Sequence, residues 1–137
     1  MEVIDNIPVK LELDDVVKKT RIRSMNDSFK DIINELLDMA RPIAKPKALF
    51  EISRVENRQG DSLEIGGRKF TSHILRVNLE KTDTVFPYIV TCGREVDEIE
   101  IPEHQLMKYY FMDQIKEVIM RSALRYLLDH IKTNYAC

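Results

Sequence analysis

The sequence has few of the residues that build metal, redox or nucleophilic sites. Its 137 residues include two cysteines and three histidines, and neither set has the spacing of a zinc, iron or thiol-exchange motif. Its four glycines form no phosphate-binding loop, and no glycine-flanked serine has the pattern of a hydrolase nucleophile. We therefore expect no resident metal and no catalytic residue of these classes.

Long apolar runs and a strong net charge are also lacking. No window approaches the roughly 20 apolar residues of a membrane span, and the acidic residues 1–5 lack the basic flank of a signal peptide. The formal charge of -2 creates no field that attracts nucleic acid or anionic membrane. We expect a cytoplasmic protein that binds neither.

The composition is that of a folded domain, with 44% hydrophobic and 32% charged residues, and the length suits a single domain over residues 1–137. Residues 84–92 are rich in strand-forming side chains and predict a central buried strand that ends at Gly93. Residues 103–135 lack Gly and Pro and predict a long helix. Unbroken, such a helix would be about 50 Å long. It therefore either breaks near Tyr109 or projects its end toward a partner.

Other segments give clear local signals. The acids near Leu13 begin a short helix, and residues 26–40 carry one apolar stripe with Asn26 as a candidate cap. Ala48, Phe50 and Ile52 alternate as in a half-buried strand. Two short runs flank a Gly-Gly pair in a hairpin pattern, and a helix carrying Ile74, Leu75 and Leu79 inward follows Ser72. Together these segments predict an α+β fold.

Three surface or chemical features have simple structural interpretations. Cys92 ends the apolar strand and has no neighbouring histidine, so we expect a buried, inert thiol. The basic residues from Lys18 to Arg23 follow a short helix, where cations are expected. In the long helix, Glu117 with Arg121 and Arg125 with Asp129 have the spacing of weak surface ion pairs.

Several short motifs carry a family resemblance. The opening Ile4-Asp5-Asn6-Ile7-Pro8-Val9, the run Phe70-Thr71-Ser72-His73-Ile74-Leu75, and the strand end Val90-Thr91-Cys92-Gly93-Arg94-Glu95-Val96-Asp97 occur in a characteristic order. With the long C-terminal helix, the chain resembles the activation-domain family of vitamin B12 (cobalamin)-dependent methionine synthase over nearly its whole length. The resemblance implies a curved antiparallel sheet with packed helices.

The resemblance also implies a function. Family members present S-adenosylmethionine to a cobalamin carried by a partner protein or module, and a flavodoxin-like or iron–sulfur donor supplies the electron for reductive remethylation. The chain would then be an accessory part of a methionine synthase or another corrinoid methyltransferase, not catalytic alone. The alternative is a protein-interaction module that docks a corrinoid protein without binding S-adenosylmethionine. A basic-patch binder that uses Lys18 to Arg23 is a third interpretation.

Two site residues follow from the resemblance. Asp5 matches the acid of the family's I-D-x-x-P motif, which contacts S-adenosylmethionine, and Glu117 matches an acidic position of the long helix. One turn later, Arg121 stands where the family has a second acid. The sequence ends at Cys137 before the family's ligand-wrapping segment, so the resemblance predicts weak or absent binding of S-adenosylmethionine.

Overall fold

A computed structural model describes residues 1–135. The α+β prediction is confirmed: the described residues form helices and two antiparallel sheets, and a long helix follows them. The helices are α1 (Leu13–Lys19), α2 (Asp27–Ala40), α3 (His73–Asn78) and α4 (Leu106–Tyr135), with a single 3-10 turn over Glu95–Glu98. The strands are β1 (Glu2–Ile4), β2 (Lys47–Phe50), β3 (Ser53–Gln59), β4 (Ser62–Ile65), β5 (Arg68–Thr71), β6 (Thr84–Val85) and β7 (Tyr88–Thr91).

The chain divides into two compact units. The first comprises Met1–Val3 and Leu49–Ile89, and the second comprises Ile4–Ala48 and Val90–Cys137. One sheet has the strand order β1-β2-β7 and the other has the order β5-β4-β3-β6. The chain passes from one unit to the other within β1, β2 and β7.

The second unit is built on α1, α2 and α4, which contact one another pairwise. The predicted stripe of α2 is confirmed, since Ile33, Leu36, Leu37 and Ala40 are all buried. The Asn26 side chain accepts a hydrogen bond from the Phe29 backbone N–H at 2.8 Å, as expected of an N-cap. Phe29 also packs edge-on against Phe111 of α4, with ring centroids 5.9 Å apart. The local sequence signals of α2 therefore agree with its packing.

Helix α4 runs unbroken for 30 residues, so the first of the two alternatives, a break near Tyr109, does not occur. At 1.5 Å per residue it is about 45 Å long. Its buried side chains are Phe111, Met112, Ile115, Val118, Ile119, Ala123, Leu127 and Ile131. Burial continues into the last turns, whereas Met107 in the first turn is 37% exposed.

In the first unit, β3, β4 and β5 form consecutive antiparallel pairs. The predicted hairpin is confirmed, because β4 and β5 flank Gly66 and Gly67, both at positive φ. Leu63 of β4 and Val55 of β3 are buried. The side chain of Ser72 accepts a hydrogen bond from the Leu75 backbone N–H at 3.3 Å and so caps α3. This unit therefore follows its local turn and cap signals closely.

The central buried strand predicted over residues 84–92 is wrong. The structure has two short strands there, β6 and β7, separated by Phe86 and Pro87, and each lies at the edge of its sheet. Ile89 is 63% exposed and Tyr88 is 47% exposed. The Pro87 nitrogen has no hydrogen to donate to a ladder, and its carbonyl accepts a hydrogen bond from the Glu51 N–H at 3.1 Å instead.

Two further burial predictions also fail. Ile52 is 52% exposed because β2 ends at Phe50, two residues earlier than the alternation suggested. Ile74 is 72% exposed, whereas Leu75 and Leu79 are half-buried. Ile52 lies between two short strands and Ile74 lies in the first turn of a short helix, so in both places the periodicity gives little information about burial.

The structure around Gly93 leaves no room for a residue with a side chain. Its φ is +89°, and a Cβ at this position would overlap the carbonyl oxygen of Lys45. Only glycine adopts this conformation readily and leaves room for the neighbouring backbone. The turn therefore requires glycine for two independent steric reasons, the positive φ and the close approach of the Lys45 backbone.

Two adjacent leucines near the end of α4 differ in burial, and substituting each of them tests whether this part of the helix packs against the core. Leu127 is fully buried and Leu128 is 50% exposed. We expect Leu127→Ala to lower the free energy of unfolding by about 2–5 kcal/mol, and Leu128→Ala by about 0.5 kcal/mol or less. Urea denaturation followed by circular dichroism measures both. Equal losses would show that this part of the helix is not packed as described.

Candidate functional site

Asp5 lies directly after β1 with its carboxylate exposed. Its neighbours Ile4 and Ile7 are buried, each 6% exposed, and they hold the segment in place. The carboxylate makes no hydrogen bond or ion pair with any other side chain within residues 1–135. Asp5 is therefore free to contact a cationic ligand.

Glu117 is in a different situation. Its Oε1 lies 2.8 Å from Lys19 Nζ of α1 and 3.1 Å from Arg121 Nη2, one turn further along α4. The hydrogen bond from Lys19 is the main reason that the pKa of Glu117 is held below its usual range, and the bond from Arg121 adds to it. A carboxylate that already has two cationic partners is a poor site for a third.

The two residues predicted from the family resemblance are not brought together by any contact. Of three cavities that lie within the described residues, none is lined by Asp5 or Glu117. The contact that the structure does make is between Glu117 and Lys19, which no local pattern in the sequence indicates. The predicted i,i+4 pair of Glu117 with Arg121 is confirmed.

A basic cleft of about 300 Å³ lies beside this ion-pair cluster. We use this name for the cavity lined by Lys10, Asp15, Lys18, Lys19, Val118, Arg121, Ser122 and Arg125. Arg125, predicted to pair with Asp129, makes no ion pair within residues 1–135 and lines the cleft instead. Arg21 and Arg23 are not among its lining residues. Of the basic segment from Lys18 to Arg23, only Lys18 and Lys19 therefore line the cleft, together with Arg121 and Arg125 of α4.

A larger cavity of about 670 Å³ also lies in the second unit. Its lining residues are Val96, Asp97, Ile99, Glu100, Ile101, Pro102, Glu103, Tyr109, Met112, Asp113 and Lys116. Lys116 is paired with Asp97 at 2.6 Å, and the Tyr109 hydroxyl donates a hydrogen bond to the Ile101 carbonyl at 2.7 Å. We call this space the acidic cavity, since carboxylates outnumber cations four to one among its lining residues.

The first unit has an apolar cleft of about 330 Å³. It is lined by Met1, Leu49, Glu51, Ile65, Arg68, Phe70, Pro87, Tyr88 and Ile89. Several of these side chains are well exposed, including Met1 at 83% and Phe70 at 43%. Exposed apolar side chains that cluster around a cleft are typical of contact surfaces. The edge strand β7 contributes Tyr88 and Ile89 to this surface.

Cys92 is half-buried rather than fully buried, and it packs against the helical core of the second unit. Burial is the main reason that the pKa of its thiol is raised, and the nearby carboxylate of Asp97 raises it further. The thiolate is the reactive form of cysteine. The environment of Cys92 therefore suits a structural residue better than a nucleophile.

Within residues 1–135, no group of three or more His, Cys, Asp and Glu side chains is arranged to hold a metal ion. His73 pairs with Asp61 at 2.9 Å on the surface of the first unit. In the same part of the chain, every helix is too short or too polar to cross a bilayer.

Comparison with known proteins gives no family assignment. No protein-family model matches the chain, and no curated protein sequence matches it. Any function must therefore be argued from the residue motifs and from the geometry of these sites.

The cluster around Glu117 makes a direct prediction about pKa values. We expect Lys19→Gln to raise the pKa of Glu117 toward its usual range by more than Arg121→Gln does, because the Lys19 hydrogen bond is the larger cause of the lowered value. Carbon-13 NMR titration of the Glu117 carboxyl group measures this. Lys30→Gln, which removes an exposed cation from α2, is the control and should leave the value unchanged. An equal effect of all three substitutions would contradict the described contacts.

Cys92 should react slowly with an aromatic disulfide reagent at pH 7. A raised thiol pKa leaves less thiolate at this pH than in a free cysteine, and the rate should rise as the pH increases into the alkaline range. A Cys137→Ser variant isolates the signal of Cys92, and the same variant unfolded in urea is the reference. Native and unfolded protein reacting at the same rate would show that Cys92 is not shielded.

Proposed function

We propose that this chain is an activation-domain-like protein of cobalamin-dependent methionine synthase or another corrinoid methyltransferase. It would support reductive remethylation of the corrinoid, with S-adenosylmethionine as the methyl donor. The observation that carries this proposal is the ordered set of motifs from Ile4 to Val9, through the Gly-Gly hairpin, to the strand end at Cys92 and the long helix. The cobalamin and the electron donor would belong to partner proteins, and the setting would be cytoplasmic.

The α+β architecture is compatible with the family fold that this resemblance implies. The steric need for Gly93 gives a physical reason for one motif, because the turn after β7 cannot form with a larger residue. The extended segment after β1 gives a reason for another, because its buried isoleucines anchor an exposed Asp5. These features give a local physical reason for two of the motifs that carry the resemblance.

Asp5 is the residue best suited to contact S-adenosylmethionine, since its carboxylate is unpaired and exposed. The ammonium and sulfonium groups of the ligand are both cationic and would be attracted to it. Glu117 would contribute little, because Lys19 and Arg121 already occupy its carboxylate. A single favourable contact is rarely enough to overcome the ordering cost of a flexible ligand.

The occupied state of Glu117 favours the second candidate function, a module that docks a corrinoid protein without binding S-adenosylmethionine. The exposed apolar cleft of the first unit, which includes Phe70, Tyr88 and Ile89, supplies a surface for such a contact. The two candidates share the corrinoid partner and differ only in the small ligand. They are therefore separated by measuring the ligand directly.

We expect S-adenosylmethionine to bind this chain with a dissociation constant no better than millimolar, as measured by titration calorimetry. Asp5→Ala should remove the residual binding, since loss of a hydrogen bond to a charged group lowers affinity by about ten- to a hundredfold. Asp31→Ala, which removes an exposed carboxylate of α2, is the matched control. Micromolar binding that is insensitive to Asp5→Ala would contradict the assigned site.

Docking is tested with an immobilised cobalamin-bearing module of a methionine synthase. Saturable binding that is lost in Tyr88→Ala or Ile89→Asp, while Ile74→Asp leaves it unchanged, would support a docking role. Ile74 is a fair control because it is also in the first unit and is more exposed than either residue, at 72%. Absence of binding to corrinoid proteins in both their cobalt(II) and methylated states would refute the association.

A further inference from the structure

The basic cleft concentrates positive charge in a chain whose formal net charge is -2. Five of its lining residues are cationic and one, Asp15, is acidic. Like charges held close together repel one another, and an anion in the cleft would relieve that repulsion. We propose that the basic cleft is a binding site for a compact ligand that carries several phosphate groups.

The cations differ in how they are held. Lys19 and Arg121 are held by the carboxylate of Glu117, which fixes the position of both side chains at the edge of the cleft. Lys10, Lys18 and Arg125 make no ion pair within residues 1–135. The cleft thus offers two positioned cations and three whose charge is not neutralised by a contact. Glu117 serves here as a positioning residue rather than a ligand contact.

The chemistry of the lining favours phosphate. Arg121 and Arg125 lie one turn apart on α4, and the planar guanidinium group can bind phosphate oxygens through two parallel hydrogen bonds. Lysines add point charges without strong directional demands, and the Ser122 hydroxyl, half-buried in the lining, is a further donor. Carboxylate ligands carry fewer oxygens per charged group and would satisfy fewer of these donors.

The size and composition of the cleft favour a small ligand over a nucleic acid. A cavity of about 300 Å³ is at the lower end of the range for small-molecule sites. Single-stranded nucleic acids are usually bound by aromatic side chains that stack on the bases, and the lining contains none. Arg21 and Arg23 are not among the residues that line the cleft. A di- or triphosphate group matches these features.

Titration calorimetry with inorganic tripolyphosphate tests the proposal on the full chain. We expect binding that weakens about tenfold or more in Arg125→Gln and in Lys18→Gln, and that weakens as the salt concentration rises. Lys30→Gln is the matched control, since it removes an exposed cation of α2 outside the cleft and should not change the affinity. Arg125 and Lys18 are both exposed, so their variants should fold, and thermal unfolding checks that they do.

Parallel titrations identify the chemistry. Binding of ATP equal to or tighter than that of tripolyphosphate, with the same loss in Arg125→Gln, supports a phosphate site. The proposal is overturned if tripolyphosphate does not bind at 10 mM, if Lys30→Gln weakens binding as much as Arg125→Gln, or if citrate binds more tightly than tripolyphosphate. Tighter binding of a short RNA that depends on Arg125 would also overturn the proposal of a compact ligand. None of these outcomes depends on whether the chain binds S-adenosylmethionine.

Discussion

The burial of the middle of α4 against α1 and α2 is the constraint on which the second unit depends. Phe111, Ile115 and Ile119 are almost completely inaccessible to solvent, and their packing fixes the rotation of α4 about its own axis. Once that rotation is fixed, Glu117 faces Lys19 on α1, and Arg121 and Arg125 of the next two turns line the basic cleft beside this ion pair. The polar contacts of this unit are thus consequences of its apolar core.

Elements with strong local signals could be predicted from the sequence. Helix α2 has a complete apolar stripe, a capping asparagine and a proline after its end, and the hairpin between β4 and β5 has the Gly-Gly turn that its geometry needs. The strand over residues 84–92 was misassigned because strand-forming side chains indicate an extended backbone but not its burial. Pro87 divides the run, and both halves lie at sheet edges.

The candidate sites were less predictable because they depend on contacts between distant parts of the chain. Spacing within α4 identified the pair of Glu117 with Arg121, but no local pattern relates Glu117 to Lys19. Similarly, spacing predicted that Arg125 pairs with Asp129, but it could not show that Arg125 lines a cleft with other cations from distant parts of the chain. The role of Asp5 rests on the family resemblance and stays a prediction, as does the association with a corrinoid protein.

The charge of the second unit is unevenly distributed along α4. Asp113 and Lys116 belong to the acidic cavity, whereas Arg121 and Arg125 belong to the basic cleft. At 1.5 Å per residue, Asp113 and Arg125 are about 18 Å apart along the helix axis, which exceeds the screening length of about 8 Å at physiological salt. The two regions therefore act as separate poles of opposite sign within the second unit. The isoelectric point and electrophoretic mobility of the protein depend on its total charge and do not reveal this separation of charge.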